Sequence, residues 1–280
     1  MNIHNLIKEG SEKLKKTNFK SYLLDSEILM SKVLNKERKF IFLNLNKELD
    51  KGKSTYYKHL VHQRSLGKPI AYLLGKKDFW KYEFDISEAV LIPRPDTELI
   101  IEKVLEITKY KPKLNVLDIG IGSGCILLSI LKERPYFLGT GVDLSKKCID
   151  ICEINAQKLG IENKVKFFKS DIDNFKYGKY DLIISNPPYI NKLSLKYLDK
   201  DVIDFEPLKA LNGGLDGLSE IKKVINKSSQ LLKNKGKLIL EIAFDQKHKV
   251  RKLLNNRGFY INGVFKDLAK NDRCIVSTKI

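Results

Sequence analysis

The sequence predicts an α/β protein: a doubly wound, mostly parallel sheet from residue 114 onward, behind a helical N-terminal region. Three observations carry this expectation. Apolar, strand-like runs alternate with helix-periodic segments through the C-terminal part of the chain. The first of those runs ends in a glycine-rich turn, "VLDIGIGSG", residues 116–124. A later run, Asp181-Leu182-Ile183-Ile184, stops at "SNPPYI", where prolines deny the ladder its donors and turn the chain out of the sheet.

The elements follow in order. "NIHNLIKEGSEKL", "SYLLDSEILMSKVL" and "STYYKHLVHQRSLG" repeat apolar residues every three or four positions, so residues 1–80 are expected to form a helical domain. "FDISEAVLIPRP", 84–95, has strand-like residues and ends at prolines; a connecting hairpin is expected over 81–95. "DTELIIEKVLEITKY" reads as a helix capped by Asp96 or Thr97 and opens a second domain, 96–280. There strands at "LNVLDIG", "FLGTGVDLS", "KVKFFKSD" and "YDLIISNPPY" alternate with helices at "CILLSILKERP" and "KCIDICEINAQKLG". A helix over 217–234, the strand "GKLILEIA", a helix over 245–257 and two last strands near "FYINGVF" and "DRCIVSTKI" complete it, one of them antiparallel.

Composition narrows the class. The 280 residues have a hydrophobic fraction of 42%, enough for a core, and no apolar stretch long enough to span a bilayer. The first residues lack an apolar signal core and contain acidic side chains, so a cytoplasmic location is expected. Cys125, Cys148, Cys152 and Cys274 form no CxxC pair and read as reduced, buried thiols; His59 and His62 lack a third ligand, and no metal site is expected. The net charge of +18 comes from lysines scattered through nearly every segment. That reads as a solvated surface with compositional bias, and no stable nucleic-acid partner is expected.

The glycine turn holds the first candidate site. Gly120, Gly122 and Gly124 allow backbone turns and close approach of a ligand to the main chain. Asp143 follows about 20 residues later at a strand end, where a carboxylate can accept both hydroxyls of a ribose. Asp171 and Ile172 stand at the end of the next strand, where an adenine would lie. The combination resembles the class I S-adenosylmethionine-dependent methyltransferases, a Rossmann-like doubly wound fold. That resemblance implies S-adenosyl-L-methionine as cofactor. By it Gly120, Ile121, Gly122, Ser123 and Gly124 line the methionine part, Asp143 holds the ribose, Asp171 and Ile172 flank the adenine, and Asn186 borders the same site.

Asn186-Pro187-Pro188-Tyr189 is similar to the motif of methyltransferases that act on planar amide or amine nitrogens. The chemistry calls for these residue types. An amide nitrogen is a poor nucleophile, so it must be held close to the methyl group and in line with it. The side-chain oxygen of Asn186 and the carbonyl of Pro187 can each accept one N–H, and Tyr189 can pack on the flat face of the target. On this argument Asn186→Asp, which keeps an acceptor oxygen, should retain part of the activity.

Further segments narrow the target. "GKPIAYLLGKKDFW", "VLIPRPDTELI", "DLIISNPPYI", "DFEPLKALNGGLDGL", "LILEIAFDQ" and "KDLAKNDRCIV" resemble, in order, the protein-(glutamine-N5) methyltransferases of peptide chain release factors. The resemblance implies that the substrate is the glutamine of Gly-Gly-Gln in class I release factors. It further implies that the N-terminal domain helps bind them, and that Asn186, Pro187, Pro188 and Tyr189 form the pocket. A monomer is expected. Ile121 stands where the family usually has threonine, and Ile172 where an aromatic residue is common. Arg94 and Glu206 lie in family-specific segments, either shaping the pocket or forming an ion pair.

Three other readings compete. A ribosomal-protein glutamine methyltransferase shares the chemistry, but "IPRPDTELI" favours the release-factor branch. An adenine methyltransferase needs a region to bind and flip a base, and none is evident. A non-catalytic RNA-binding protein has no use for the glycine turn together with Asn186 and Tyr189.

Overall fold

The computed structural model describes residues 1–17 and 19–280. The chain divides into two units: Met1–Lys76 with Asp199–Phe205, and Lys77–Leu198 with Glu206–Ile280.

The first unit is helical, as expected, with more helices than the periodicity showed. It contains α1 (Ile3–Lys15), α2 (Tyr22–Leu34), α3 (Arg38–Leu43), α4 (Lys51–Ser65) and α5 (Ile70–Leu74). The two short helices, α3 and α5, are too brief to display a period. Ile3, Leu6, Leu14, Leu29, Met30 and Ile41 form the centre of their core. Gly10 is needed there, because a Cβ would lie 2.3 Å from the buried Tyr57 hydroxyl. That hydroxyl bonds Ser26 at 2.5 Å. Arg64 donates to Asp25 at 2.7 Å and lies 3.7 Å over the Phe19 ring, so a buried charge is both paired and stacked.

The second unit opens with β1 (Lys76–Phe79) and β2 (Tyr82–Asp85), paired across a tight turn at Trp80 and Lys81. Lys76 itself is the last residue of the first unit. The hairpin therefore starts upstream of the expected 81–95 and ends at Asp85 within it. Residues 86–94 form no helix or strand, because Pro93 and Pro95 lack the amide protons a ladder needs. Then follow α6 (Glu98–Ile107), β3 (Asn115–Ile119), α7 (Cys125–Glu133), β4 (Leu138–Asp143), α8 (Lys146–Lys158), β5 (Val165–Lys169) and β6 (Tyr180–Ser185). The short helix α9 (Lys200–Phe205) falls wholly in the first unit. After it come α10 (Ser219–Leu231), β7 (Leu232–Glu241), α11 (Lys247–Asn255), β8 (Phe259–Lys266) and β9 (Asp272–Lys279).

The seven-stranded sheet has the order β5-β4-β3-β6-β7-β9-β8. Parallel pairing runs from β5 to β7, and β9 is antiparallel to both neighbours. This is the fold class expected. Leu117, Ile183 and Leu240 pack on one face beneath α10 and α11; Val116, Leu182 and Ile239 pack on the other with α6 and α7. With both faces covered, the strands read as continuous apolar runs.

Strand order reverses between β3 and β6, so a crevice opens beyond their carboxyl ends. The glycine turn leaves β3 there and the Asn-Pro-Pro-Tyr segment leaves β6 there. All four cysteines are buried free thiols, as expected. Among the described residues no helix is long and apolar enough to cross a membrane.

Candidate active site

The glycine turn is left-handed at three points: Gly120, Gly122 and Gly124 have φ of 75°, 58° and 82°. A Cβ at Gly120 or Gly122 would meet nothing within 4 Å, so the backbone borders open space. A Cβ at Gly124 would press within 3 Å of Leu128. The turn is pinned from below, as Gly120 and Ile121 both donate their amides to the Val142 carbonyl. Ile121 turns its side chain into the core, where it fills the place of a missing Cβ at Gly141. Ser123 is also buried. Only the backbone of these two residues borders the turn's open side.

Asp143 ends β4. Its Oδ2 accepts the Gly122 amide at 3.1 Å and its Oδ1 the Ser145 amide at 2.9 Å. The carboxylate thus orders the turn it faces. Burial raises its pKa and these amides hold it back. Asp171 accepts the Asp173 amide at 2.9 Å, and Ile172 packs half-buried against the sheet's second core.

Asp118 was not a candidate in the sequence. It is 1% exposed, and among the described residues neither of its carboxylate oxygens has a hydrogen-bond partner. Burial, with the Asp143 charge beside it, pushes its pKa up to about 8. A buried carboxyl with no partner is costly in a finished protein and points to a ligand group of opposite charge.

The Asn-Pro-Pro-Tyr segment is braced on two sides. Ser185, the last residue of β6, donates to the Ile119 carbonyl at 2.7 Å and ties the ends of β6 and β3 together. Behind it runs the "LNGGLDGL" segment. The Ile190 amide donates to the Leu211 carbonyl and the Gly213 amide to the Ile190 carbonyl, and Gln246 donates to both the Tyr189 and Gly217 carbonyls. At Gly213 a Cβ would sit 2.8 Å from the Pro188 carbonyl oxygen and 2.9 Å from the Tyr189 carbonyl carbon. Backbone cannot yield as a flexible side chain can. Gly213→Ala is therefore expected to displace Pro188 and Tyr189 by about half an ångström and slow the chemistry at this site roughly tenfold, since misplacement by ~1 Å costs ~10²-fold. Single-turnover rates check this; a wild-type rate removes the brace.

A polar cluster supports the same segment. Asn186 Nδ2 donates to the Thr97 hydroxyl at 3.2 Å. Thr97 was expected as a helix cap; it stands at that position, but its side chain makes no capping bond and serves Asn186 instead. Among the described residues no donor engages the Asn186 side-chain oxygen or the Pro187 carbonyl. The Tyr189 hydroxyl donates to Glu241 at 3.2 Å, and its ring packs against the core. Burial and the Glu241 charge raise the Tyr189 pKa.

Glu241 is the last residue of β7. The pairing of Ser185 with Leu240 sets it level with Asn186, and antiparallel pairing with Cys274 brings Arg273 alongside. It is 2% exposed, and burial pushes its pKa up to about 7 against the pull of Thr97 and Arg273. Its signal in the sequence was one acidic residue inside the apolar run "LILEIA". Arg273 donates to Asp267 at 3.0 Å. Arg94 and Glu206 prove to be each other's partners in a short ion pair, and Glu206 also accepts the Ile92 amide.

A family model described as the PrmC N-terminal domain matches residues 5–75, and one described as the methyltransferase small domain matches 95–203. A release factor glutamine methyltransferase of Buchnera aphidicola subsp. Schizaphis graminum is 38% identical over 281 residues, covering 100% of both chains. One from Clostridium acetobutylicum is 36% identical, covering 100% of this chain and 99% of its own. A crystal structure of a ribosomal protein L11 methylase from Lactobacillus delbrueckii subsp. bulgaricus aligns with a TM-score of 0.52 at 20% identity. It covers 70% of this chain and 84% of that one, and shows the fold alone.

Proposed function

The chain belongs to the release factor glutamine methyltransferase family, and from that premise we propose that it methylates the side-chain amide nitrogen of the Gly-Gly-Gln glutamine in class I peptide chain release factors, with S-adenosylmethionine as methyl donor. The observation that carries this reading is Asn186. Its amide nitrogen is committed to Thr97, which leaves its oxygen, with the Pro187 carbonyl, to receive a substrate NH2 group.

The residues present fit the cofactor. Asp118 offers an unpartnered buried carboxylate for an ammonium group. Gly120 and Gly122 leave room against the backbone. Asp143, already fixed by two amides, keeps lone pairs for ribose hydroxyls. Asp171 and Ile172 stand where the adenine would lie. When bound, S-adenosylmethionine supplies an electrophilic methyl group on a sulfonium.

The chain's own work is positioning. Asn186 Oδ1 and the Pro187 carbonyl each accept one N–H, which orients the glutamine nitrogen and stabilises the charge that grows on it. Pro188 stiffens the segment. Tyr189, anchored through Glu241, keeps its ring beside the amide plane. The nitrogen loses one proton to water after transfer. Nothing here requires a protein general base.

Mass spectrometry tests the reading directly. A purified release factor incubated with the protein and S-adenosylmethionine should gain one methyl group at the Gly-Gly-Gln glutamine. No modification, or a methyl group elsewhere, overturns the proposal. A release factor as substrate implies a cytoplasmic location. It also makes the charge of +18 incidental, so turnover should change only modestly from low to moderate salt. Tight RNA binding whose log affinity falls steeply with log salt would count for the nucleic-acid reading instead.

A further inference from the structure

The glycines that let the turn at 120–124 adopt left-handed bends also leave it free to abandon them, because glycine has more backbone freedom to lose than any other residue. A turn that binds through its main chain must be fastened from outside. The Val142 carbonyl fastens Gly120 and Ile121 from below, and Asp143 fastens Gly122. A third fastening comes from behind. Helix α8 buries Cys148, Cys152, Asn155 and Ala156. The Cys152 thiol lies 3.3 Å from the Gly122 carbonyl, and Asn155 Nδ2 donates to the Ser123 carbonyl at 2.9 Å.

Asn155 is fully buried, and its partners allow its amide one orientation. Oδ1 accepts the Asp85 amide at 2.7 Å, while Nδ2 donates to the Asp85 carbonyl at 2.9 Å as well as to Ser123. A flipped amide would set NH2 against the Asp85 N–H and oxygen against two carbonyls. The two bonds to Asp85 fasten the end of β2 to α8. Lys158, three residues further along α8, shares that task through Glu83 and Asp85 at 3.0 and 2.7 Å. The bond to Ser123 does nothing for the hairpin. It reaches the glycine turn one residue before Gly124, the cap of α7.

We propose that Asn155 is a positioning residue for the cofactor: by gripping the Ser123 carbonyl it fixes the rear of the glycine turn, so that the open side is already shaped for the methionine part of S-adenosylmethionine. This rests on the assignment of that open side to the cofactor and adds the group that holds its shape. Asn155 is buried and acts through the backbone of the turn. Its effect lies in affinity, because a preformed site avoids the cost of ordering the turn on binding. One amide grips both Asp85 and Ser123, so ordering the turn should also steady the end of β2.

The wild-type protein, Asn155→Asp, Asn155→Leu and Lys158→Met are compared by calorimetry with S-adenosylmethionine and its demethylated product, and by methyl transfer to a release factor. Asn155→Asp keeps an acceptor for the Asp85 amide and loses both donations; Asn155→Leu loses all three bonds. Both should weaken the two ligands alike, roughly tenfold, the loss of about one hydrogen bond. At saturating cofactor kcat should stay within about twofold of wild type. A role confined to folding would lower the melting temperature and leave both dissociation constants unchanged. Lys158→Met cuts the half-exposed tie to the hairpin and spares Ser123, so its affinities should match the wild type. In the wild-type protein, saturation with S-adenosylmethionine should slow hydrogen exchange at the Asp85 amide. The Trp80 amide, held by Glu98 at the hairpin's far end, should exchange as before.

Unchanged affinity in a folded Asn155 variant overturns the proposal, and so does an equal loss in Lys158→Met. If neither Asn155 variant folds, amide exchange in the wild-type protein decides: no slowing at Asp85 overturns it. A wild-type protein that binds no S-adenosylmethionine removes the cofactor assignment itself, and that outcome is distinct from the others.

Discussion

Asn186→Ala is expected to bind S-adenosylmethionine with nearly wild-type affinity and to transfer methyl slower by ~10²–10³-fold, the usual loss when one preorganised polar contact is removed. The binding half follows from geometry. The groups assigned to the cofactor's methionine and ribose are the backbone of the glycine turn and the carboxylates of Asp118 and Asp143, all on or after β3 and β4. The rate half follows from a weak nucleophile that must be held in line. Asn186→Asp sharpens the test. From acceptor chemistry alone it should retain part of the activity. The introduced carboxylate cannot donate to Thr97 but can accept from its hydroxyl, while it adds a negative charge to the cluster that holds Glu241. Like charges in a buried cluster disfavour each other. Asn186→Asp should therefore be slower than the wild type and faster than Asn186→Ala. Single-turnover rates on a release factor with an unmodified loop glutamine decide it. Wild-type-like turnover in Asn186→Ala would sink the assignment of this segment to the amide clamp.

Asp143→Ala is expected to weaken S-adenosylmethionine and its demethylated product alike, on the order of 10²-fold, because each bond to a charged acceptor is worth roughly 1.5–3 kcal/mol. Two effects add. The ribose loses its acceptor, and the Gly122 and Ser145 amides lose theirs, so the glycine turn is no longer pinned from its open side. Asp143→Asn separates the two. It keeps one acceptor oxygen for one amide but sets an NH2 group against the other, so it should also weaken binding, though less. Equal loss for cofactor and product marks the effect as nucleoside recognition and not methyl recognition. Calorimetry with both ligands measures it, and unchanged affinity in Asp143→Ala would take that residue out of the site.

The sequence by itself determined the sheet class, the places where the chain leaves the sheet, and the residue types waiting there. Those signals are local. An apolar run ended by Gly-x-Gly-x-Gly or by Asn-Pro-Pro-Tyr carries its meaning within a few residues, because glycine freedom and proline's missing proton are properties of single positions. Tertiary structure alone decided what stands behind them. Thr97 reads as a helix cap from its neighbours, yet its hydroxyl serves Asn186, 89 residues further along the chain. Glu241 reads as an interruption in a strand, and becomes the anchor of Tyr189 only because β7 lies beside β6 in a register that sets Leu240 against Ser185. Asp118 gains its meaning from burial, which leaves its carboxylate without a partner. Arg94 and Glu206, indistinguishable from pocket residues in sequence, resolve into an ion pair across 112 positions. Side chains far apart in sequence meet only through strand order and register, and long-range packing fixes those.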